Sequence, residues 1–291
     1  MRLAASLIPS AVLLFVLSDS LPADEGPPVS ALSLYASFDE KVAADLGGGE
    51  LTLRTRSDHP ETKGKYVFRA GFPERAFGIK AGQGVSKGAL ECRDVLPRRG
   101  RIFFPLQGNL AYKEGGWGGA VSLWINTNPN TELKTPFCDP VQITQKGAHD
   151  GGLWLDFPDK KPRDMRMGIF RGLGPGETPL KESDPKASIV TLERVGFETG
   201  QWHHLALSWK NFDTGKPDAH AQFFVDGKLV GEVKDRDLAM GWDPEQAGIY
   251  VAVNFIGLMD EFATFNRPLT ASEVKFLYAN PDYLNENARK P

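Results

Sequence analysis

Two pairs of neighbours carry much of the titratable chemistry in this chain: His203-His204 within QWHHLALSWK, and Asp260-Glu261 within GLMDEFATF. Paired histidines could ligate zinc, and paired carboxylates could share acid and base roles. Both stretches alternate like β-strands, however, and neighbours on a strand project to opposite faces. His203 falls with Leu205, Leu207 and Trp209, while His204 falls with Trp202, Ala206 and Ser208. No shared zinc is expected there. Glycoside hydrolysis needs two carboxylates facing one cleft, about 5 Å apart for retention and wider for inversion. Met259-Asp260-Glu261-Phe262 sends its acids apart, and no other stretch spaces acids for one face.

Aromatic rings are the second resource. Sugar sites set flat apolar platforms beside hydrogen-bonding groups. Trp117 and Trp242 lie among glycines or beside Asp and Pro, in predicted loops where a ring could stay exposed. Trp124 occupies the face of its strand opposite Val121, Leu123 and Ile125. These three are the candidate ligand platforms, with packing the competing role for each.

Residues 3–17 are apolar apart from Ser6, Pro9 and Ser10, behind a basic Met1-Arg2 start and ahead of small residues through Ala23. This is the pattern of a secretory signal peptide, residues 1–23, too short and proline-broken for a membrane span. The remainder, residues 24–291, carries 33 basic and 36 acidic side chains, a balance that points to neither nucleic acid nor a membrane surface. The basic cluster Arg98, Arg99 and Arg101 reads as a solvated loop. Cys92 and Cys138 are the only cysteines, and export favours a disulfide between them over two separate buried thiols.

The elements that must position these groups are mostly strands. Thirty-one glycines and 21 prolines at an ordinary apolar fraction fit many turns joining short strands. Residues 32–38, 118–126, 141–143, 152–157, 165–170 and 202–209 read as strands, while 54–76 reads as a surface excursion and 172–186 as a long irregular loop. Phe223-Phe224-Val225, Asp226-Gly227 and Lys228-Leu229-Val230 form a hairpin with a type I′ turn, whose central residues need positive φ. Thr270 with Glu273 makes a capping box, and Leu269 with Val274 a hydrophobic staple, opening one short helix that Asn280-Pro281 stops.

GQWHHLALSWK, FFVDGKLVGE and GLMDEFATFNRPLTASEVKFLY, in that order, resemble successive strands of the laminin G-like jelly roll family of the concanavalin A-like lectin/glucanase superfamily. LYASFDE, GALEC and GNLAYKEGGWGGAVSLWINTNP are similar to its earlier strands. The resemblance implies an all-β fold, a two-sheet antiparallel β-sandwich, as one domain over 24–291. It also implies a structural calcium ion, with Asp260 of the final strand approaching the loop after the first strand, where Asp39 and more weakly Asp45 stand. The competing roles are that Asp260 caps a bulge or pairs with Arg267, and that Asp39 begins an ordinary turn.

That fold hosts lectins, adhesion modules, hydrolases and lyases, and does not choose among them. With neither the paired acids of its glucanases nor the arginine and glutamine-histidine strands of its alginate lyases, the expectation is a secreted, non-catalytic, carbohydrate-binding, lectin-like module. An extracellular protein-interaction or structural module stands second, and a hydrolase or lyase with a dispersed site third. Polysaccharide, glycoconjugate or extracellular protein are the expected partners.

Overall fold

The computed structural model describes residues 25–63 and 65–288; the expected signal peptide lies outside them. After a 3-10 turn, Val29–Ala31, the strands are β1 (Leu32–Ala36), β2 (Leu46–Gly47), β3 (Arg54–Asp58), β4 (Tyr66–Ala70), β5 (Phe77–Lys80), β6 (Ala89–Cys92), β7 (Arg101–Pro105) and β8 (Trp117–Asn126). There follow β9 (Cys138–Gly147), β10 (Asp150–Phe157), β11 (Met165–Phe170), β12 (Ser188–Leu192), β13 (His203–Phe212), β14 (Ala219–Val225), β15 (Lys228–Arg236), β16 (Gly248–Val253) and β17 (Gly257–Phe265). Helix α1 (Ala271–Ala279) and a single-turn α2 (Tyr283–Asn287) close the described chain.

The strands form two antiparallel sheets, as expected of a β-sandwich. One runs β15-β14-β13-β8-β17-β1-β2, with β6 also on β17 and β5 on β6; the other runs β12-β11-β10-β9-β16-β7-β3-β4. Alternation drives the pairing of the sheets: Val121, Leu123, Ile125, Leu205, Leu207 and Trp209 of one face meet Val141, Ile143, Leu153, Leu155, Met167 and Ile249 of the other in one core. Burial of those side chains removes them from water at about 25 cal/mol per Å² of apolar surface.

The turn and cap chemistry is realised. Asp226 and Gly227 have φ of 48° and 72°, the two positive values a type I′ turn needs. The Thr270 hydroxyl accepts from Glu273 N at 3.2 Å and the Glu273 carboxylate accepts from Thr270 N at 2.8 Å. Val274 and Leu277 of α1, with Leu269, then pack on Ala120, Ala206, Phe224 and Phe265, sealing the outer face of the nine-stranded sheet.

Residues 54–76 are not a surface excursion. Arg54–Asp58 and Tyr66–Ala70 pair as a hairpin, and β3 adds to β7, extending the eight-stranded sheet. Their polar alternation suits an edge whose partner face meets water, which hides it from a search for apolar strands. Arg98 and Arg99 stay in the preceding loop, whereas Arg101 opens β7 and is half-buried.

Cys92 and Cys138 are free, buried thiols, so the expected bridge is not formed. Cys92 ends β6 of one sheet and Cys138 opens β9 of the other, where its Sγ donates to Thr135 O at 3.1 Å. Each fills its own part of the core, and burial pushes both thiols above their ordinary range.

Candidate functional site

The face of the eight-stranded sheet turned away from the core holds a row of polar and aromatic side chains. Period-two alternation puts Trp154 and Asp156 of β10 there while Leu153, Leu155 and Phe157 enter the core. On β9 the same rule sends Gln142 outward, opposite Trp154 on one side and Tyr250 on the other. Asp139 should then share the inward face of Val141. An irregularity in the β9–β10 register, between Leu155 and Phe157, reverses this: Cys138 takes the core position and Asp139 faces out. On β16 the register to β9 runs on unbroken, Val251 to Val141 and Val253 to Asp139, but Ala252, at φ 52°, interrupts the alternation, so that Val251 joins the core while Val253 packs with Phe103 and Tyr250.

Charge is concentrated along this face. Arg166 of β11 donates to both oxygens of Asp156, at 2.9 and 2.7 Å, and to Glu182 at 2.6 Å. Burial alone would lower the Arg166 pKa, but these bonds outweigh it and hold the guanidinium above its usual range. Glu182, from the irregular loop 171–187, also meets His149 at 3.2 Å. Asp139 differs from its neighbours: among the described residues its carboxylate makes no hydrogen bond or ion pair. Burial, aided by the nearby Asp156 charge, pushes the Asp139 pKa well above the carboxylate range, against the pull of Arg101 and Arg166.

Two pockets of about 650 and 300 Å³ lie on this face, flanking the paired Arg56 and Arg101, and form a groove from the β3–β4 hairpin to His149. A third, of about 500 Å³, lies at the sandwich edge between the 171–187 loop and residues 236–238. The second and third share His149. Of the six exposed large apolar side chains among the described residues, Tyr66, Phe68 and Phe137 line the groove and Leu180 lines the edge pocket. Trp154 forms part of the floor, with its ring over Gly168. A Cβ at that glycine would come within 2.0 Å of the ring, so only Gly lets the indole lie there.

The three expected platforms lie elsewhere. Trp117 and Trp242 are 5.8 Å apart in an aromatic cluster with Tyr112, their indole N–H groups donating to Asp213 and to Gly151 O. Both are core residues, 5% and 4% exposed: Trp117 opens strand β8 where a loop was expected, and the loop that carries Trp242 folds inward. Trp124 is stacked under Tyr278 of α1 at 5.8 Å and is likewise buried. The helix covers the face on which that ring stands.

Asp39 and Asp260 do come together, on the loop 84–88 of the other sheet. Asp260 accepts from Ser86 N at 3.1 Å and Glu261 N at 2.9 Å; Asp39 accepts from Gly88 N at 3.2 Å and from the Asn285 amide at 2.9 Å. Asp260 thus caps both the loop and a bulge at Glu261, whose φ is 49°. Arg267 pairs with Glu273 and not with Asp260. These carboxylate oxygens face N–H donors, and among the described residues no group of three or more His, Cys, Asp or Glu is arranged to hold a metal ion. Asp45 receives the Ser37 N–H and hydroxyl, at 2.8 and 2.7 Å. Burial raises the pKa of Asp260 and of Glu261, whose two oxygens accept from the Tyr35 hydroxyl.

The laminin G-like family model, described as the concanavalin A-like lectin/glucanases superfamily, matches residues 118–275. The chain belongs to that family. Among solved structures, the binding domain of botulinum neurotoxin DC, in complex with SialylT, is 10% identical with a TM-score of 0.53, covering 88% of this chain and 52% of that one. The receptor binding domain of the botulinum neurotoxin C/D mosaic serotype is 12% identical with a TM-score of 0.53, covering 87% and 52%. This chain therefore spans about half the length of those toxin domains. Domain 4 of AbnA, a GH43 extracellular arabinanase from Geobacillus stearothermophilus, in complex with arabinotriose, is 16% identical over 85% of this chain and 98% of that one, with a TM-score of 0.48. No curated protein matches by sequence. At these identities the likeness to the two toxin domains is one of fold.

Proposed function

We propose that the protein is a secreted, non-catalytic glycan-binding module whose site is the groove on the outer face of the eight-stranded sheet. The observation that carries this reading is the placement of exposed rings: Tyr66, Phe68 and Phe137 line the groove beside hydrogen-bonding Asp139, Gln142 and His149. Sugars present apolar C–H faces edged with hydroxyls, and a groove of rings and polar groups complements both. Asp139 brings to the groove a carboxyl that is not already engaged by a protein side chain and can meet a sugar hydroxyl.

Binding is favoured over hydrolysis by the state of Asp156. Both its oxygens are taken by Arg166, leaving Asp139 as the one groove carboxylate on β9 and β10 with no hydrogen bond. Hydrolysis by either stereochemical course needs two working carboxyl groups. Asp39 and Asp260 sit on the other sheet, so calcium there would act on stability, and the screen is best run with calcium and with EDTA.

The test is a glycan array followed by calorimetry. At least one glycan should bind, and Phe137→Ala should weaken it by about tenfold, the loss of roughly 1.4 kcal/mol of stacking. An array with no binder, or a ligand indifferent to Phe137→Ala, would sink the proposal. Release of reducing ends from a bound glycan would make the protein a hydrolase.

A further inference from the structure

Where the first two pockets meet, β3 and β7 place Arg56 directly opposite Arg101. Arg56 is 6% exposed, and its guanidinium lies between two rings, 4.3 Å from the Tyr66 centroid and 4.8 Å from that of Tyr250. Arg101 donates to the Gln142 carbonyl oxygen at 2.7 Å. Among the described residues neither arginine makes an ion pair.

Two neighbouring guanidinium groups with no carboxylate in contact are costly for a fold. Removing a cation from water is repaid only by a partner charge or a full set of acceptors, and like charges side by side add repulsion. The rings return part of this through cation–π attraction. Gln142 satisfies one of the ten N–H donors that the pair presents. Asp139 is the groove acid whose charge acts on Arg101, but it makes no ion pair with either arginine. Elsewhere on the same face the chain shows the opposite solution, since Arg166 is matched to Asp156 and Glu182. The unmatched charge is confined to the place where a ligand would lie.

We infer that the Arg56–Arg101 pair receives an anionic group of the bound glycan, a sugar carboxylate or a sulfate ester. This rests on the groove being the glycan site. Guanidinium forks match either anion through paired N–H donors, and a planar fork held between rings is already oriented for it. Gln142, bound to Arg101, fixes the orientation of that second fork. Neutral stretches of the same chain would then lie along Phe68 at one end and Phe137 at the other.

The experiment is an array carrying neutral, uronate-containing and sulfated glycans, followed by titration of the binders against the protein, Arg56→Gln and Arg101→Gln. Binders should be charged, and whether uronates or sulfated glycans bind identifies the anion. Each variant should lose at least about tenfold in affinity, with its melting temperature used to verify folding. Should a variant not fold, ionic strength on the unmodified protein serves: affinity should fall steeply between about 50 and about 500 mM NaCl. Neutral binders with no salt dependence, or charged binders indifferent to both substitutions, would overturn the inference and leave the glycan-binding reading standing. An array with no binder at all would remove that reading, and this one with it.

Discussion

Replacing Arg163 by alanine should lower the unfolding free energy by about 3–4 kcal/mol, the largest single effect expected of any residue near the groove. Arg163 is 1% exposed, and its guanidinium donates to four backbone carbonyls: Phe157 at 3.3 Å, Pro158 at 2.8 Å, Leu133 at 3.1 Å and Thr135 at 3.0 Å. It therefore fastens residues 133–135, just before β9, to the end of β10. Alanine leaves those oxygens without their donor inside the protein, where each unpaired group costs on the order of 1–3 kcal/mol, less what entering water recovers. Arg163→Lys should recover little, because a single ammonium cannot reach four carbonyls spread around a planar fork. Phe137 follows the fastened segment, so glycan affinity should fall with stability. Urea unfolding is the measurement; a loss under about 1 kcal/mol would show that the loop is held by other contacts.

The second large effect is on acid stability, through His204. Its ring lies under α1, with Nε2 bonded to Ser122 Oγ at 2.8 Å and Nδ1 without a partner. Burial pushes its pKa down from 6.5 to about 4, against a weak upward pull from Asp226. A group with a depressed folded-state pKa binds its proton more readily when unfolded. Its stabilising contribution is therefore complete above about pH 6.5 and is lost as the pH falls towards 4. By linkage the loss amounts to about 3 kcal/mol. Asp260 and Glu261 act in the other direction: burial raises both, so what they contribute is greatest at acid pH and is lost as the pH rises through about 9 and about 8. His204→Gln keeps an amide for Ser122 and removes the titration. Subtracting its stability curve from that of the unmodified protein should expose the His204 limb between pH 6.5 and 4. Superimposable curves would show that His204 does not titrate over that range.

Much of the fold was legible because it is written in local rules. The His203–Trp209 alternation, the Asp226-Gly227 turn and the Thr270–Glu273 box each depend on residues close in sequence, and each formed as read. Opposed faces also removed the histidine pair as a zinc site: His203 stacks on Phe197 while His204 lies against Trp124 on the side covered by α1. The candidate site was much less legible. Trp154 and Asp156 were visible in the alternation of β10, but the reading favoured Trp117, Trp242 and Trp124, whose exposure depends on what packs over them. Asp139 could not be found by period, because the irregularity beside it reverses the face its position implies. Arg56, Tyr66 and Phe68 were hidden in a polar edge hairpin that looks like loop until β7 is seen to pair with it.

The central claim is that a glycan is held in the groove of the eight-stranded sheet. The most direct measurement is a ¹H–¹⁵N correlation titration of the labelled protein with a glycan that it binds, following the indole N–H signals of its tryptophans. The Trp154 signal, and amides around Asp139, Gln142 and Arg101, should move as the sites fill, while the Trp124 indole beneath α1 stays in place. Movement at Trp124 and along α1 with a silent groove would contradict the account and place the ligand on the opposite side of the sandwich.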